Sequence, residues 1–346
     1  MEKVVIALDA MGGDYITKWG NELKAIVAVG GNQAEGAVEA VNSSDEIRVI
    51  LVGKQDMIAK ELEKYEYAKE DIEVVHASEI IDMGDVPTVA IKDKKDSSLV
   101  VAMRLVREGK ADALVSAGST GAVLVGGQLV VGRLKGIKRP PLAPFIPTTK
   151  GFSLLIDCGA NVDARPEHLV QFAQMGSIYY ENVMGKKNPT VALLNIGTEE
   201  EKGNQLVKDT KPLMKECKNI NYIGSVEARE LVSGAADVIV CEAFVGNVVL
   251  KFFEGLALTL FGSLKEGLMS STRTKLGALL VKPALKGLKN QFDTSSQGGA
   301  PLLGLKGLVV KAHGNSSSKE IEIALKQCIS FKKQKINEKI KESICD

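Results

Sequence analysis

Short apolar runs rich in β-branched residues recur along this 346-residue chain and alternate with longer segments of helical character. The runs are apolar at successive positions, which is typical of strands buried on both faces of a parallel sheet. They are Val4 to Leu8, Ile47 to Val52, Ile72 to Val75, Ala113 to Val115, Phe152 to Ile156, Thr190 to Asn195, Asn221 to Ile223, Val238 to Cys241 and Leu308 to Lys311. The alternation predicts an α/β fold, with a mostly parallel sheet and helices on both faces.

Small, polar and acidic residues follow several of these runs, at the point where each strand should end. The segments are DAMGGD, SAGSTG, DCGAN, NIGTEEEKGN, EAFVGN and AHGNSSS. Ligands of open α/β sheets bind at the carboxyl ends of the strands. We therefore expect these segments to converge along a single rim of the sheet and to form a shared site.

The SAGSTG segment lies in a stretch, Ala111 to Gly132, that carries no charge after Asp112 and has the length of a membrane span. Its glycines and hydroxyls indicate instead a strand, a tight loop and a helix. A helix start presents free N–H groups and a positive dipole end, which suit phosphate, although an ordinary N-capped turn has the same composition. The predicted phosphate cradle comprises Ser116, Gly118, Ser119, Thr120 and Gly121, and the pair Gly12 and Gly13 has the same two interpretations.

Bulk composition excludes several classes of protein. The net charge of +1 argues against a general nucleic-acid binder. The five cysteines are scattered, without metal-ligand spacing, and no signal peptide is recognised, so we expect a reduced, cytoplasmic protein and no metal. No GxGxxG follows a strand and no GxxxxGK[ST] occurs, which disfavours a dinucleotide cofactor or a P-loop nucleotide.

The region from 251 to 297 differs from the rest, because it reads as two amphipathic helices joined near Ser270 to Thr272. We predict a helical hairpin protruding from a single large α/β catalytic domain that spans residues 1 to 346. Basic side chains predominate in it. Either the hairpin packs on the body or a second subunit, or it offers a surface to an acidic partner or anionic lipid. The basic residues are Lys265, Arg273, Lys275, Lys282, Lys286 and Lys289.

Motifs throughout the chain resemble, in order, those of one bacterial enzyme family. The matching stretches are IALDAMGGD, VVHASEIIDMGD, KKDSSLVVAM, ADALVSAGSTGA, LIDCGANVDARPEHLVQFAQMG, ALLNIGTEEEKGN, ADVIVCEAFVGNVVLKFFEG and GGAPLLGLKGLVVKAHGNS. They are similar to the phosphate acyltransferases of phospholipid synthesis, the acyl-ACP:phosphate acyltransferases often called PlsX. Together they cover almost the whole chain.

The resemblance implies the reaction of long-chain acyl-ACP with inorganic phosphate to give acyl phosphate and ACP. It also implies a homodimer with a fold like the isocitrate and isopropylmalate dehydrogenases and the phosphotransacetylases. A cytoplasmic enzyme that associates peripherally with the membrane is implied as well, without a cofactor. A downstream glycerol-3-phosphate acyltransferase is a possible partner. The sequence departs from the family pattern over Tyr15 to Gln33 and at Ser119, where the family commonly has Asn.

Further site residues are predicted from their places in the matching motifs. Amide and hydroxyl donors at strand ends could bind phosphate or the oxyanion, and lysines could neutralise charge. The phosphate-binding candidates beyond the cradle are Lys94, Lys95, Asn161, Asn195, Thr198 and Lys202. The catalytic candidates are His76, Lys306, His313 and Asn247. We expect His168 to be structural, and Cys158 and Cys241 to be buried apolar residues.

Three other functions remain open at this point. A phosphotransacetylase acting on acetyl-CoA would have similar loops, a metal- and NAD-dependent dehydrogenase would share the fold, and a membrane-associated scaffold would need the hairpin alone. The absence of a cofactor signature disfavours the dehydrogenase. A scaffold does not require the polar loops.

Overall fold

The structure is a computed structural model that describes residues 3–13, 31–292 and 297–344, apart from the side chain of Lys289. The sequence departs from the family pattern over Tyr15 to Gln33, and the part of this segment up to Gly30 lies outside the described residues. The chain divides into two compact units. Unit 1 comprises Met1–Pro144, Ile178–Lys187 and Ser295–Asp346, and unit 2 comprises Phe145–Ser177 and Asn188–Thr294.

The first part of unit 1 alternates strands with helices. Its elements are β1 (Val4–Asp9), α1 (Gly31–Asn42), β2 (Ile47–Gly53), α2 (Gln55–Leu62), β3 (Ile72–His76), α3 (Pro87–Asp93), α4 (Ser98–Arg107), β4 (Ala113–Ser116) and α5 (Thr120–Gly126). A π-helical turn, Gly127–Val131, continues α5.

Unit 2 contains the middle of the chain. Its elements are β5 (Phe145–Thr148), β6 (Gly151–Ile156), α6 (Pro166–Met184, whose last residues belong to unit 1), β7 (Thr190–Asn195), α7 (Gln205–Glu216), β8 (Asn221–Glu227), β9 (Val238–Val240), α8 (Ala243–Met269) and α9 (Thr272–Gln291). The chain then returns to unit 1 with β10 (Ala300–Leu302), β11 (Leu308–Lys311), α10 (Ser318–Lys333) and α11 (Ile336–Ile344).

Each unit has its own mostly parallel sheet. The six-stranded sheet of unit 1 has the order β10-β11-β4-β1-β2-β3, and the five-stranded sheet of unit 2 has the order β5-β6-β9-β7-β8. Only the edge strands β10 and β5 pair antiparallel among the described strands. The inner strands of both sheets are apolar because both faces are covered, and β4, β9 and β11 are buried at every position, whereas the edge strands β3 and β8 are partly exposed. The predicted α/β class is confirmed.

The division into two sheets corrects the expectation of a single rim. DAMGGD, SAGSTG and AHGNSSS follow β1, β4 and β11 of unit 1, whereas DCGAN, EAFVGN and NIGTEEEKGN follow β6, β9 and β7 of unit 2. In each unit the three strands concerned are neighbours. That the two units act as one catalytic domain stays a prediction.

The helical region after β9 begins earlier than the sequence suggested. α8 starts at Ala243 because Glu242 caps it, with side-chain oxygens that accept from the N–H groups of Phe244 (2.6 Å) and Val245 (3.0 Å). The chain turns at Ser270 and continues as α9 from Thr272. Apolar side chains along both helices are largely exposed, including Leu258, at 76%, and Leu280, at 83%. By length and composition alone, α8 could cross a membrane.

Cys158 and Cys241 are buried in the apolar core of unit 2, together with Leu155, Ala192 and Ile239. Burial raises the pKa of both thiols well above the usual value. They therefore behave as small apolar side chains, as expected. His168 is also buried, and its Nδ1 accepts from the N–H of Arg165 at 3.1 Å, which agrees with a structural role.

A buried carboxylate joins α10 to the end of α1 in unit 1. Glu322 is 3% exposed and accepts hydrogen bonds from Lys326 (2.7 Å), Ser43 (3.0 Å) and Lys319. Burial acts to raise the pKa of Glu322, but these hydrogen bonds outweigh it and lower the pKa to about 2. The ionised form is therefore the one that the folded protein stabilises.

We expect Glu322→Gln to destabilise the protein by about 1–2 kcal/mol at neutral pH, since charge-assisted hydrogen bonds are lost at a site whose lysines are partly exposed. A carboxyl with a depressed pKa contributes stability above its unfolded pKa and loses it as pH falls. The difference from wild type should therefore shrink between pH 4.5 and about pH 2. Denaturant midpoints across this range measure it, with exposed Glu338→Gln as the control. A difference that is independent of pH would contradict the assignment.

Candidate functional site

Three loops of unit 1 leave neighbouring parallel strands at the same edge. β4 lies between β1 and β11, and Ser116 is paired in register with both Asp9 and Lys311. The N–H of Ala312 donates to the carbonyl of Ser116 at 2.9 Å, which ties the start of AHGNSSS to that of SAGSTG. The carboxyl edge of this sheet therefore brings DAMGG, SAGSTG and AHGNS together, as the sequence predicted for these three segments.

The buried carboxyl of Asp9 joins two of these loops. Ser116 Oγ donates to Asp9 Oδ2 at 2.7 Å and accepts from the N–H of Gly118 at 3.1 Å, while the N–H of Met11 donates to Asp9 Oδ1 at 3.3 Å. Burial raises the pKa of Asp9, and hydrogen bonds from Ser98, Ser116 and the loop N–H groups oppose this rise. Ser116, a predicted phosphate ligand, thus has its hydroxyl occupied within the protein.

The DAMGG loop passes very close to the SAGSTG loop at Gly12. A Cβ at this position would lie 2.6 Å from Asp9 Oδ2 and 2.6 Å from the backbone nitrogen of Gly118. Such distances are far below contact distance, so the two backbones can approach only because residue 12 has no side chain. Gly12 and Gly118 therefore shape the loop edge.

The start of α5 offers hydrogen-bond donors. Ser119 is the N-cap, and its side chain accepts from the N–H of Ala122 at 3.5 Å. The first N–H groups of a helix have no intrahelical acceptor, and among the described residues those of Thr120 and Gly121 have none elsewhere. Donors of this kind, at the positive end of a helix dipole, suit an anion.

A buried lysine that sequence reasoning did not select lies behind this loop. Lys311 is 9% exposed at the end of β11, and its Nζ donates to the carbonyls of Ala312 and Ala117, the latter at 3.4 Å. A lysine at the end of an otherwise apolar run was the available signal, but the run reads as an ordinary strand. Its hydrogen bond to Ala117 ties the end of β11 to the SAGSTG loop.

The other candidates in unit 1 have different surroundings. Lys94 donates to Asp85 at 2.5 Å, which lowers the pKa of that carboxyl, and Lys95 is exposed. His76 ends the edge strand β3, and His313 follows β11; both are exposed, and each Nδ1 accepts a backbone N–H, from Gln55 at 3.4 Å and Asn315 at 3.2 Å respectively.

Lys306 is at the opposite edge of this sheet from the SAGSTG loop. It precedes β11, and it lines a small hollow of about 90 Å³ together with Asp112, which precedes β4. Because β4 and β11 are parallel, residues before both strands lie at the amino edge. Lys306 therefore does not lie with Ser119 and Thr120 at the carboxyl edge of this sheet, and its catalytic role stays a prediction.

The candidates in unit 2 lie at the carboxyl edge of β6, β9 and β7. Asn161 is buried, and its Nδ2 donates to Asp157 at 2.8 Å, while Asn195 Nδ2 donates to the carbonyls of Gly197 at 2.8 Å and Lys202 at 3.1 Å. Both amides thus shape their own loops. Thr198, Lys202 and, on α8, Asn247 are exposed.

Within the ranges that the structure describes, no group of three or more His, Cys, Asp or Glu residues could hold a metal ion. The hydrogen-bond donors of the two edges are backbone N–H groups, hydroxyls, amides and lysines. This set can bind anions and stabilise developing negative charge.

Comparison with known proteins identifies relatives over nearly the full length. The sequence model of the family described as "Fatty acid synthesis protein" matches residues 4–339. A "Phosphate acyltransferase" of Alkaliphilus oremlandii is 52% identical over 339 residues, which cover 98% of this chain and 97% of that protein. A "Phosphate acyltransferase" of Clostridium acetobutylicum is 48% identical over 337 residues, which cover 97% of this chain and 98% of that protein.

Solved structures share the fold at low sequence identity. A phosphotransacetylase from Streptococcus pyogenes matches with a TM-score of 0.61 and 16% identity, covering 94% of this chain and 93% of that chain. A branched-chain phosphotransacylase from Enterococcus faecalis V583 matches with a TM-score of 0.55 and 16% identity, covering 94% of this chain and 98% of that chain.

Proposed function

Since this chain belongs to the fatty acid synthesis protein family, and its close relatives are phosphate acyltransferases, we propose that it transfers a long-chain acyl group from acyl-ACP to inorganic phosphate. The resemblance found in the sequence is confirmed at the level of the family, and the chain is an enzyme of the transacylase type. The proposed products are an acyl phosphate and the free thiol of the carrier protein.

The start of α5 carries this proposal. Thr120 and Gly121 present N–H groups without a protein acceptor among the described residues, next to the cap Ser119 and in front of buried Lys311. These donors lie at the positive end of a helix dipole, which suits an anion. We assign the phosphate to this position, with His313 on the neighbouring loop as the group that could orient it.

The reaction requires no catalytic triad. A phosphate oxygen attacks the thioester carbonyl carbon, a C–O bond forms, and the tetrahedral oxyanion collapses as the C–S bond breaks and the thiolate leaves. The conjugate thiol has a pKa of about 8.5, so the thiolate departs without strong acid assistance. Positioning can contribute about 7–11 kcal/mol and one oxyanion donor about 3–4 kcal/mol. Lys202, Thr198 and Asn247 stay predicted donors for the oxyanion, from their places in the matching motifs.

Incubation of the protein with palmitoyl-ACP and phosphate should release free thiol at a rate that depends on phosphate. Hydroxylamine should trap the acyl phosphate as a hydroxamate. Palmitoyl-CoA and acetyl-CoA serve as comparison donors: faster transfer from acetyl-CoA would favour the phosphotransacetylase alternative. No thiol above the control without enzyme would overturn the proposal.

The exposed hairpin fits a role in association. α8 and α9 expose Phe252, Leu258 and Leu280 to solvent, and the basic side chains Lys282 and Lys286 of α9 are exposed as well. Apolar area flanked by lysines is typical of a peripheral contact with an anionic membrane. We propose that the enzyme is cytoplasmic and that the hairpin contacts the membrane surface. We also propose that the enzyme forms a homodimer and that a downstream glycerol-3-phosphate acyltransferase is a further partner.

The Lys282→Glu/Lys286→Glu double variant should weaken sedimentation with anionic liposomes about tenfold or more, since each basic residue near the surface contributes about 1 kcal/mol. Its oligomeric state and its KM for ACP are measured in parallel. Lys54→Glu/Lys60→Glu, which reverses two exposed charges, one at the N-cap of α2 and one on the helix, is the control. Unchanged liposome binding and unchanged KM would show that the basic surface is only solvated.

A further inference from the structure

One buried lysine of unit 2 donates its hydrogen bonds to backbone carbonyls. Lys211, on α7, is 3% exposed. Its Nζ donates to three backbone carbonyls, those of Glu199 (3.0 Å), Glu200 (2.8 Å) and Lys202 (3.0 Å). An ammonium has three donors, so its hydrogen-bonding capacity is filled. All three acceptors belong to the loop that connects β7 to α7.

The same loop is held from the strand side by Asn195. Its amide donates to the carbonyls of Gly197 and Lys202, so the Lys202 carbonyl accepts from both Asn195 (3.1 Å) and Lys211 (3.0 Å). Gly203 has φ +120°, and Asn204 caps α7 by accepting from the N–H of Val207 at 2.9 Å. The path of the loop is thus built around the ammonium.

Acidic side chains nearby do not replace these carbonyls. The carboxylate of Glu200 pairs with Lys215 at 2.7 Å, and only the backbone oxygen of Glu200 accepts from Lys211. A charge that is buried this deeply is costly unless dipoles compensate it. The three converging carbonyls therefore form a site that suits a cation enclosed by the loop.

We propose that Lys211 is a positioning residue, whose ammonium fixes the loop of residues 196–204 and so places Thr198 and Lys202 at the carboxyl end of β7. The catalytic consequence rests on the proposed function, because Thr198 and Lys202 are assigned there as donors for the oxyanion. The effect of Lys211 on the conformation of the loop does not depend on the proposed function. Lys211 contacts no reacting atom in this assignment.

Lys211→Ala should leave three carbonyls converging on a vacated position that ammonium ion can enter. We expect kcat/KM to fall about 10- to 100-fold, as for a misplaced donor group, and to recover saturably with ammonium chloride. Tetramethylammonium chloride at equal ionic strength should not restore the rate, since the ion is too large and donates no hydrogen bond. Lys211→Met, whose side chain fills the space, should be impaired and not rescued.

Hydrogen exchange provides a readout that does not depend on activity. In Lys211→Ala the amides of residues 196–204 should exchange faster than in wild type, and ammonium should slow them again. Lys208→Ala, an exposed lysine on the same helix, is the matched control and should change neither rate nor exchange. If Lys211→Ala does not fold, Lys211→Gln, which retains two donors, takes its place and should show a smaller change.

The outcomes separate this inference from the proposed function. If ammonium slows hydrogen exchange of the loop in Lys211→Ala but the wild type transfers no acyl group, the proposed function is wrong and the role of Lys211 in the loop stands. Unchanged loop exchange in Lys211→Ala, or a rate loss in that variant that ammonium does not reverse, would overturn the role of Lys211.

Discussion

The Gly246→Ala variant is expected to lose about 3 kcal/mol or more of folding free energy. A Cβ at residue 246 of α8 would lie 1.9 Å from the carbonyl oxygen of Asp157 and 3.0 Å from Cys241 Sγ. Both neighbours belong to buried backbone or core, so neither can move aside cheaply, and overpacking of this kind costs about 1–3 kcal/mol, occasionally more. Denaturant unfolding of the purified variant measures the loss.

The control for this prediction lies on the same helix. Gly255 has nothing within 4 Å of its Cβ position, so Gly255→Ala should be neutral or stabilise α8 by about 0.5–1 kcal/mol. If both variants unfolded at the midpoint of the wild type, the close packing of α8 on the loop after β6 would be refuted.

The Gly12→Ala variant should lose phosphate-dependent transfer by about 100-fold in kcat/KM, because a shift of about 1 Å at a positioned group can cost that much. The added methyl would meet Asp9 Oδ2 and the Gly118 nitrogen, both at 2.6 Å, and would push the DAMGG loop away from the SAGSTG loop. The KM for phosphate should rise more than the KM for the thioester, since the displaced loop borders the proposed phosphate position. Steady-state rates with each substrate varied in turn measure both effects.

Gly84→Ala is the matched control in unit 1, since nothing lies within 4 Å of its Cβ position. It should retain wild-type rates. Wild-type kinetics in Gly12→Ala, with the variant folded, would remove the first loop from the site.

The strands with two buried faces were predictable because burial of both faces leaves an uninterrupted apolar run in the sequence. Two strands, β5 and β10, were not recognised. Each is short, pairs antiparallel at a sheet edge and contains a proline, Pro147 and Pro301. Proline lacks the N–H of a ladder and is confined to edge strands, so it weakens the sequence signal there.

The grouping of the strands into two sheets could not be predicted from the sequence, for a different reason. Strand order depends on pairings between distant parts of the chain, such as β4 with β11, and no local pattern encodes them. The start of α8 was also misjudged, because EAFVGN was interpreted as a loop after the strand, whereas the helix already begins at Ala243.

The convergence of three loops of unit 1 was predictable, whereas the surroundings of their side chains were not. Motif spacing placed Ser116 at this loop edge, yet its hydroxyl is bound between Asp9 and Gly118. Lys306 was selected from a matching motif, although it precedes its strand and so lies at the other edge. Lys211 is one of several lysines on α7, and only the folded loop shows which one is enclosed.

The buried thiols of Cys158, Cys241 and Cys328 have a consequence for chromogenic assays. Aromatic disulfides and maleimides react with thiolate, and burial keeps these three groups covered and raises the pKa of each. These three cysteines therefore stay silent towards a colorimetric reagent until the polypeptide is denatured, and the partly exposed Cys217 sets a background that is subtracted from the sulfhydryl released by the donor.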